Sequence, residues 1–242
     1  MEHQSRRQIL WLAAAAALVA PAARGQPSGS GTPLKIGTIG AGREGSALGT
    51  AFAKAGHPVM FSTRHPEELK GLVDGLGPSA HAGTVAEAIA FGDVVLLVVP
   101  YTAVPDLGKE HAPALAQKKL VVDVSNPIAR RDGDIVQWVE QQGGAGLATA
   151  KLLPGAHLVR AFNAIGSAKL SEDAHRQPEP VGVPIAGDDP EAITLASGLI
   201  REIGFEPVLV GGLAMGKYLV PGTPLGGEHT PAEIRQIAAT LN

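Results

Sequence analysis

From residue 34 onward the chain alternates two patterns: short runs with almost no polar residue, and longer stretches in which apolar residues recur every three or four positions. The first pattern predicts buried strands and the second helices that lay one face on a core. "LKIGTIG" at 34–40 is an apolar strand running into glycine, and 43–55 is a helix with Ala47, Leu48, Ala51 and Phe52 on one face, stopped at Gly56. A strand at 59–62, a helix opened by Pro66 and running to Leu76, a weak strand near Ala80 and a short helix at 84–91 follow. "DVVLLVVP" (93–100) and "KLVVDVSNP" (119–127) lack polar alternation altogether and read as central strands.

Helical stretches at 134–142 and 148–153 lead to a sixth strand, "HLVRAFN", at 157–162. Right-handed crossovers then give a doubly wound α/β sheet, mostly parallel, of order 3-2-1-4-5-6. "PVGVPIAG" and "FEPVLVG" add two C-terminal strands around a helix at 189–203, and a last helix spans 231–241. These elements are expected to extend the sheet and not to form a separate domain. The body is thus residues 34–242, with a C-terminal extension from about 155.

The first 25 residues carry a different pattern. Arg6 and Arg7 precede an uncharged run of 12 residues, Ile9 to Ala20, and then the small residues Ala20, Ala22 and Ala23. This is the layout of a cleavable signal peptide, with a run short for a membrane span. "SRRQIL" matches the twin-arginine type, which implies export of a folded protein to the periplasm or beyond, and no stable membrane span after cleavage. "QPSGSGTP", 26–33, is a linker.

Composition narrows the function classes. Removal of Arg6, Arg7, Arg24 and Glu2 would move the formal net charge from −3 to −5, and aromatic residues make up 4% of the chain, so neither a phosphate-backbone surface nor a base-stacking platform is expected. Nucleic acid is therefore not an expected partner. Cysteine is absent, which removes thiol and disulfide chemistry. The eight histidines show no metal-ligand spacing, so no metal site is assigned. Asp189 followed by Pro190 reads as a helix cap and not as half of a catalytic carboxylate pair.

Gly40-x-Gly42-x-x-Gly45 directly after a strand and opening a helix is the feature with the most chemistry in it. Gly40 permits the tight turn, Gly42 lets backbone approach a pyrophosphate, and Gly45 lets helix and strand pack closely, the arrangement of a Rossmann-type dinucleotide site. Twenty-two residues beyond Gly40, where an acidic residue would hold the adenosine ribose of NAD, stand Ser62, Thr63 and Arg64. Hydroxyls and a guanidinium suit a 2′-phosphate, so NADP(H) is the expected cofactor. Pro100, Asn126, Pro127 and Asn163 fall at predicted carboxyl ends of strands, the edge where such sheets bind ligands; each either borders the nicotinamide or serves its own loop.

"IGTIGAGREGSALGTAFAKAGHPVMFSTR", "DVVLLVVPYTAV", "VVDVSNP", "LVRAFNAIG" and "VPIAGDDPEA" in this order resemble the NADPH-dependent deazaflavin coenzyme F(420) reductase family and the reductase domain of the six-transmembrane metalloreductases. The similarity spans Leu34 to about Leu213. It implies an NADP(H)-dependent oxidoreductase that moves hydride between nicotinamide and a small-molecule redox acceptor, a flavin or a deazaflavin such as coenzyme F(420). It also implies that backbone around Ala41, Gly42, Arg43, Glu44 and Gly45 holds the pyrophosphate, that Thr63 and Arg64 hold the 2′-phosphate, and that Val99, Pro100, Asn126, Phe162, Asn163 and Ala164 border the nicotinamide.

No catalytic acid or base is assigned, since proximity and orientation suffice for hydride transfer to such a ring. The chain departs from the pattern after Arg64, where Glu67 and Glu68 precede the nearest basic residue, Lys70, and again in the tail 218–242. A homodimer is the assembly kept open. Two other readings stand beside the enzyme: a non-catalytic exported NADP-binding protein, and a relative of the pyrroline-carboxylate and imine reductases. The latter expects a long helical domain where this sequence, after Pro154, returns to strands.

Overall fold

Strand β1 (Ile36–Ile39) is flanked on one side by β2 (Val59–Ser62) and on the other by β4 (Val94–Leu97), a consequence of the chain crossing over after β3 (Ala80–Gly83). This computed structural model describes residues 33–241, so the expected signal peptide and all of the linker but Pro33 lie outside the described residues. β5 (Leu120–Asp123), β6 (Leu158–Arg160), β7 (Gly182–Gly187) and β8 (Glu206–Gly211) complete one eight-stranded sheet of order β3-β2-β1-β4-β5-β6-β7-β8. Every neighbouring pair is parallel except β6 with β7. The expected order of the first six strands and the extension of the sheet by two more are both observed, and Pro33–Asn242 forms one compact unit.

The helices are α1 (Arg43–Lys54), α2 (Lys70–Leu76), α3 (Val85–Phe91), α4 (Val104–Leu115), α5 (Ala129–Asp132), α6 (Ile135–Gln141), α7 (Ala145–Leu152), α8 (Ser167–Glu172), α9 (Pro190–Glu202) and α10 (Pro231–Ala238). Adjacent residues of β4 show how they are layered. Val94 and Leu96 pack with Leu48 and Phe52 of α1 and Leu199 of α9, whereas Val95 and Leu97 pack with Ile89 of α3, Leu115 of α4 and Ala148 of α7. Strand side chains alternate between faces, so a strand apolar at every position must be covered on both. A smaller core of Ala186, Val208, Leu219, Leu225 and Ile234 joins the last two strands to α10.

Local chemistry starts several helices where the sequence places them. Thr84 and Glu87 form a reciprocal capping box on α3, and Thr230 and Glu233 do the same on α10. Asp189 Oδ1 accepts from the Glu191 and Ala192 amides with Pro190 at the first helical position, so this carboxylate is a cap. One expected helix is split: Pro66–Leu69 is a 3₁₀ turn and the α-helix begins only at Lys70. No helix among the described residues is long and apolar enough to cross a membrane.

Candidate nucleotide and redox cleft

A cleft of about 550 Å³ opens at the carboxyl ends of the central strands. It lies where the chain turns away from β1 in one direction and from β4 in the other, the switch point at which doubly wound sheets bind ligands. Its floor is the first turn of α1, from Gly42 to Gly45; its sides are Val98 to Pro100 after β4, Val124 to Asn126 after β5 and Phe162 to Gly166 after β6. Ser167, Ala168 and Lys169 of α8, together with Ile128, Arg131 and Pro221, close the remaining wall.

The glycines behave as their spacing requires. Gly40 has φ +99°, and a Cβ there would stand 2.3 Å from the Val98 carbonyl oxygen. A Cβ on Gly45 would stand 1.9 Å from the Gly40 carbonyl oxygen, so no larger residue lets α1 sit this close to β1. Gly42 differs: a Cβ there would meet no protein atom within 4 Å, so its freedom is toward the cleft. The amides of Arg43, Glu44 and Gly45 precede the first bond of the helix, Ser46 N–H to the Gly42 carbonyl at 2.8 Å, and no side chain caps this end. An uncapped helix N-terminus bordered by an open glycine face suits an anion.

The opposite side of the cleft is built from side chains. Asp123 and Arg160, register partners at the ends of β5 and β6, form an ion pair in which both side chains are fully buried. Asp123 Oδ1 also accepts from the Ser125 amide and hydroxyl, and Arg160 Nη2 donates to the Ser125 carbonyl at 3.0 Å. The arginine stem fits because Gly146 and Gly216 border it; a Cβ on Gly216 would lie 2.6 Å from Arg160 Cδ.

Above this pair, Asn126 Nδ2 donates to the Asn163 carbonyl (2.8 Å), and Asn163 Nδ2 donates to the carbonyls of Asp123 (3.1 Å) and Ser125 (3.3 Å). Phe162 adopts φ +62°, a left-handed conformation that costs about 1–3 kcal/mol in a non-glycine residue. Its ring is buried edge-to-face against Phe205, at 6.0 Å between centroids, and the turn it makes delivers Asn163 to the network.

Besides Arg160 Nε in the buried pair beneath, two polar atoms that line this cleft have no hydrogen-bond partner. Asn163 is 4% exposed, and with both of its N–H directions committed its Oδ1 is buried and unpaired. Glu44 Oε1 is likewise buried and unpaired. Burial raises the Glu44 carboxyl from the usual carboxylate range to about 7, against the pull of the Ser167 backbone N–H and the Arg43 charge.

Of the residues singled out in the sequence, Gly42, Arg43, Glu44, Gly45, Val99, Pro100, Asn126, Asn163 and Ala164 line the cleft, whereas Gly40, Ala41 and Pro127, their neighbours in the chain, are not part of the lining. The Ser62, Thr63 and Arg64 stretch lies at the end of β2 and outside the cleft lining. There the structure corrects one expectation. The Ser62 side chain is buried and donates its only hydroxyl proton to the Thr38 carbonyl at 2.6 Å, so it is a bond between strands and not a free donor. Thr63 is half-buried and Arg64 exposed, with no ion pair or hydrogen bond to the Arg64 side chain among the described residues. Lys70, the next basic residue, is held by Asp74 at 2.5 Å.

The sequence profile of the family described as NADP oxidoreductase, coenzyme F420-dependent, matches residues 35–127. Metalloreductase STEAP3 of Rattus norvegicus is 30% identical over 186 residues, which cover 74% of this chain and 34% of the metalloreductase. Residues 35–127 of the chain thus carry the pattern of this NADP oxidoreductase family. The chain spans about a third of the length of that curated relative. Among solved structures, a hypothetical protein from Sinorhizobium meliloti is 30% identical with a TM-score of 0.64, covering 81% of this chain and 94% of that one. A putative F420-dependent NADP-reductase from Arthrobacter sp. FB24 shares the fold at 21% identity and a TM-score of 0.66, covering 76% of this chain and 87% of that one.

The matched span ends at Pro127 and so includes the glycine turn, the Ser62 to Arg64 stretch and the Asn126 loop, but not Arg160, Asn163 or α8. Sequence reasoning found Asn163 but missed Ser167 to Lys169, Arg131 and the Asp123–Arg160 pair beneath them. A charged residue inside each of two all-apolar strands, "VVD" and "LVR", was the signal that could have paired them.

Proposed function

We propose that the protein is an NADP(H)-dependent oxidoreductase that moves hydride between nicotinamide and a planar acceptor of the flavin or deazaflavin type. The observation that carries this reading is the cleft itself. One wall is an uncapped helix N-terminus bordered by the open face of Gly42; the other presents Asn163 Oδ1, a buried acceptor without a donor. The first fits a pyrophosphate and the second a primary amide such as the nicotinamide carboxamide, and the family is one of NADP oxidoreductases.

When bound, NADPH supplies the hydride. Every other part of the reaction falls to this chain's residues. The amides of Arg43 to Gly45 hold the pyrophosphate, Thr63 and Arg64 take the 2′-phosphate, and Asn163 fixes the orientation of the carboxamide. Val99 and Pro100 flank the ring, and the space toward Arg131, Lys169 and Pro221 receives the acceptor. Orientation and exclusion of water are the protein's contributions, each of the kind that converts a bimolecular encounter into a positioned one.

The test is anaerobic oxidation of NADPH, followed by nicotinamide absorbance, with free flavins and with coenzyme F420 offered separately. Turnover with one of these rings supports the reading. Tight NADPH binding without turnover on any of them replaces it with a nucleotide-binding module. The twin-arginine pattern around Arg6 and Arg7 supports export of the folded protein with nucleotide already bound. Material recovered from the periplasm should then release NADP on denaturation.

A further inference from the structure

Within the fingerprint turn, Glu44 is an unexpected residue: an acid set at the helix end that is to receive a pyrophosphate. It stands at the second position of α1, lines the cleft, and keeps Oε1 buried without a partner. An ionised carboxylate there would repel the phosphates that the same turn is built to hold. A neutral carboxyl would not, and would bring one O–H donor to an oxygen that has no donor facing it. We infer that Glu44 is a proton-coupled cofactor-binding residue: it binds a proton from solvent as the dinucleotide binds, and the complex forms with Glu44 as the neutral acid.

The inference rests on the nucleotide assignment above and deepens it. The proton balance is simple. Carboxylate and one solvent proton give the carboxylic acid, and the proton returns when the cofactor leaves. Charged groups approach Glu44 from its own helix and from the elements packed against it. On its own helix, the charge of Arg43 favours the ionised form; on α8, the Ser167 N–H does the same, and Lys169 adds a cation to the cleft, as does Arg131 beyond β5.

The carboxylates of Glu172 on α8 and of Asp173 just after it are turned to Lys169, and on α2 Lys70 is paired with Asp74. β1, β2 and the Val98 to Pro100 loop carry no charged residue. Burial already outweighs these cations and leaves the carboxyl titrating at about 7. A pyrophosphate at the same helix end adds negative charge and so can only move the balance further toward the acid.

The measurement is calorimetric titration of the intact protein with NADP⁺ at pH 8 in two buffers of different ionisation enthalpy, which reads the protons taken up per nucleotide bound. The expected result is an uptake approaching ~1 proton for the wild type and close to none for Glu44→Gln. Between pH 7 and 9 the wild-type affinity should fall toward ~10-fold per pH unit, the limit for one linked proton, and that of Glu44→Gln should stay level.

Binding without proton uptake overturns the inference and leaves the nucleotide assignment standing. Uptake that persists in Glu44→Gln, as it would if His65 were its source, overturns it too. Should Glu44→Gln fail to fold, a wild-type affinity that is level from pH 7 to 9 is enough to reject it. No binding of NADP⁺ under any of these conditions removes the nucleotide assignment and this inference together.

Discussion

The two walls of the cleft are made in opposite ways. The α1 wall is backbone, freed by Gly40, Gly42 and Gly45; its turn is closed locally by the Gly45–Gly40 approach and the Ser46 N–H bond to Gly42, with Gly40 backed by the Val98 carbonyl. The β5–β6 wall is side chain, and its members Asp123, Ser125, Asn126, Arg160 and Asn163 meet across 34 to 40 residues of sequence, apart from the local Asp123–Ser125 bonds. A wall made of main chain tolerates change in side chain chemistry but not in volume. A wall made of paired polar groups tolerates neither partner's loss.

The largest expected effect therefore falls on the second wall. Arg160→Ala should destabilise the protein by about 3–5 kcal/mol, because it leaves the fully buried Asp123 carboxylate without its counter-charge. Equilibrium denaturation in urea would measure this. Replacing both residues together, by Asp123→Leu and Arg160→Met, should recover much of the loss; a double variant as unstable as the single would show that the wall depends on shape and not on charge pairing.

On the first wall, Gly45→Ala should cost about 1–3 kcal/mol, since its Cβ would stand 1.9 Å from a carbonyl oxygen and α1 must move. Gly42→Ala meets nothing in the protein and should change stability by less than about 0.5 kcal/mol while weakening dinucleotide binding. Thermal melts and nucleotide titrations of the two variants side by side separate packing from ligand approach. Equal losses of stability would erase the distinction.

The same contrast decides what the sequence disclosed. Strand order, the glycine turn, the caps at Thr84, Asp189 and Thr230, and the position of Asn126 and Asn163 follow from local rules: apolar runs, turn residues and helix starts. α4, α5 and α8 were not foreseen, and α8 supplies Ser167, Ala168 and Lys169 to the cleft. The six residues of α8 are too few to show a period. For Ser62 the place at a strand end was legible but the bond to Thr38, which depends on the register between β1 and β2, was not.

A smaller effect separates the walls by pH. Glu44 has its folded-state value raised to about 7 from 4.5, so the unliganded protein binds this proton more tightly folded than unfolded. Its contribution to stability is present in full below about 4.5 and is lost as pH rises through about 7. Glu44→Gln should remove that portion of the slope in a series of denaturation midpoints. A variant with the wild-type slope would place the titrating group elsewhere.

The central claim is that the cleft and the end of β2 together read NADP(H). Calorimetric titration of the wild type and of Arg64→Ala with NADP⁺ and NAD⁺ tests it most directly. The wild type should bind NADP⁺ the more tightly, and the variant should lose about 1.5–3 kcal/mol, roughly 10- to 150-fold, toward NADP⁺ with little change toward NAD⁺. Equal affinity of the wild type for both nucleotides, or equal losses in the variant, would contradict it.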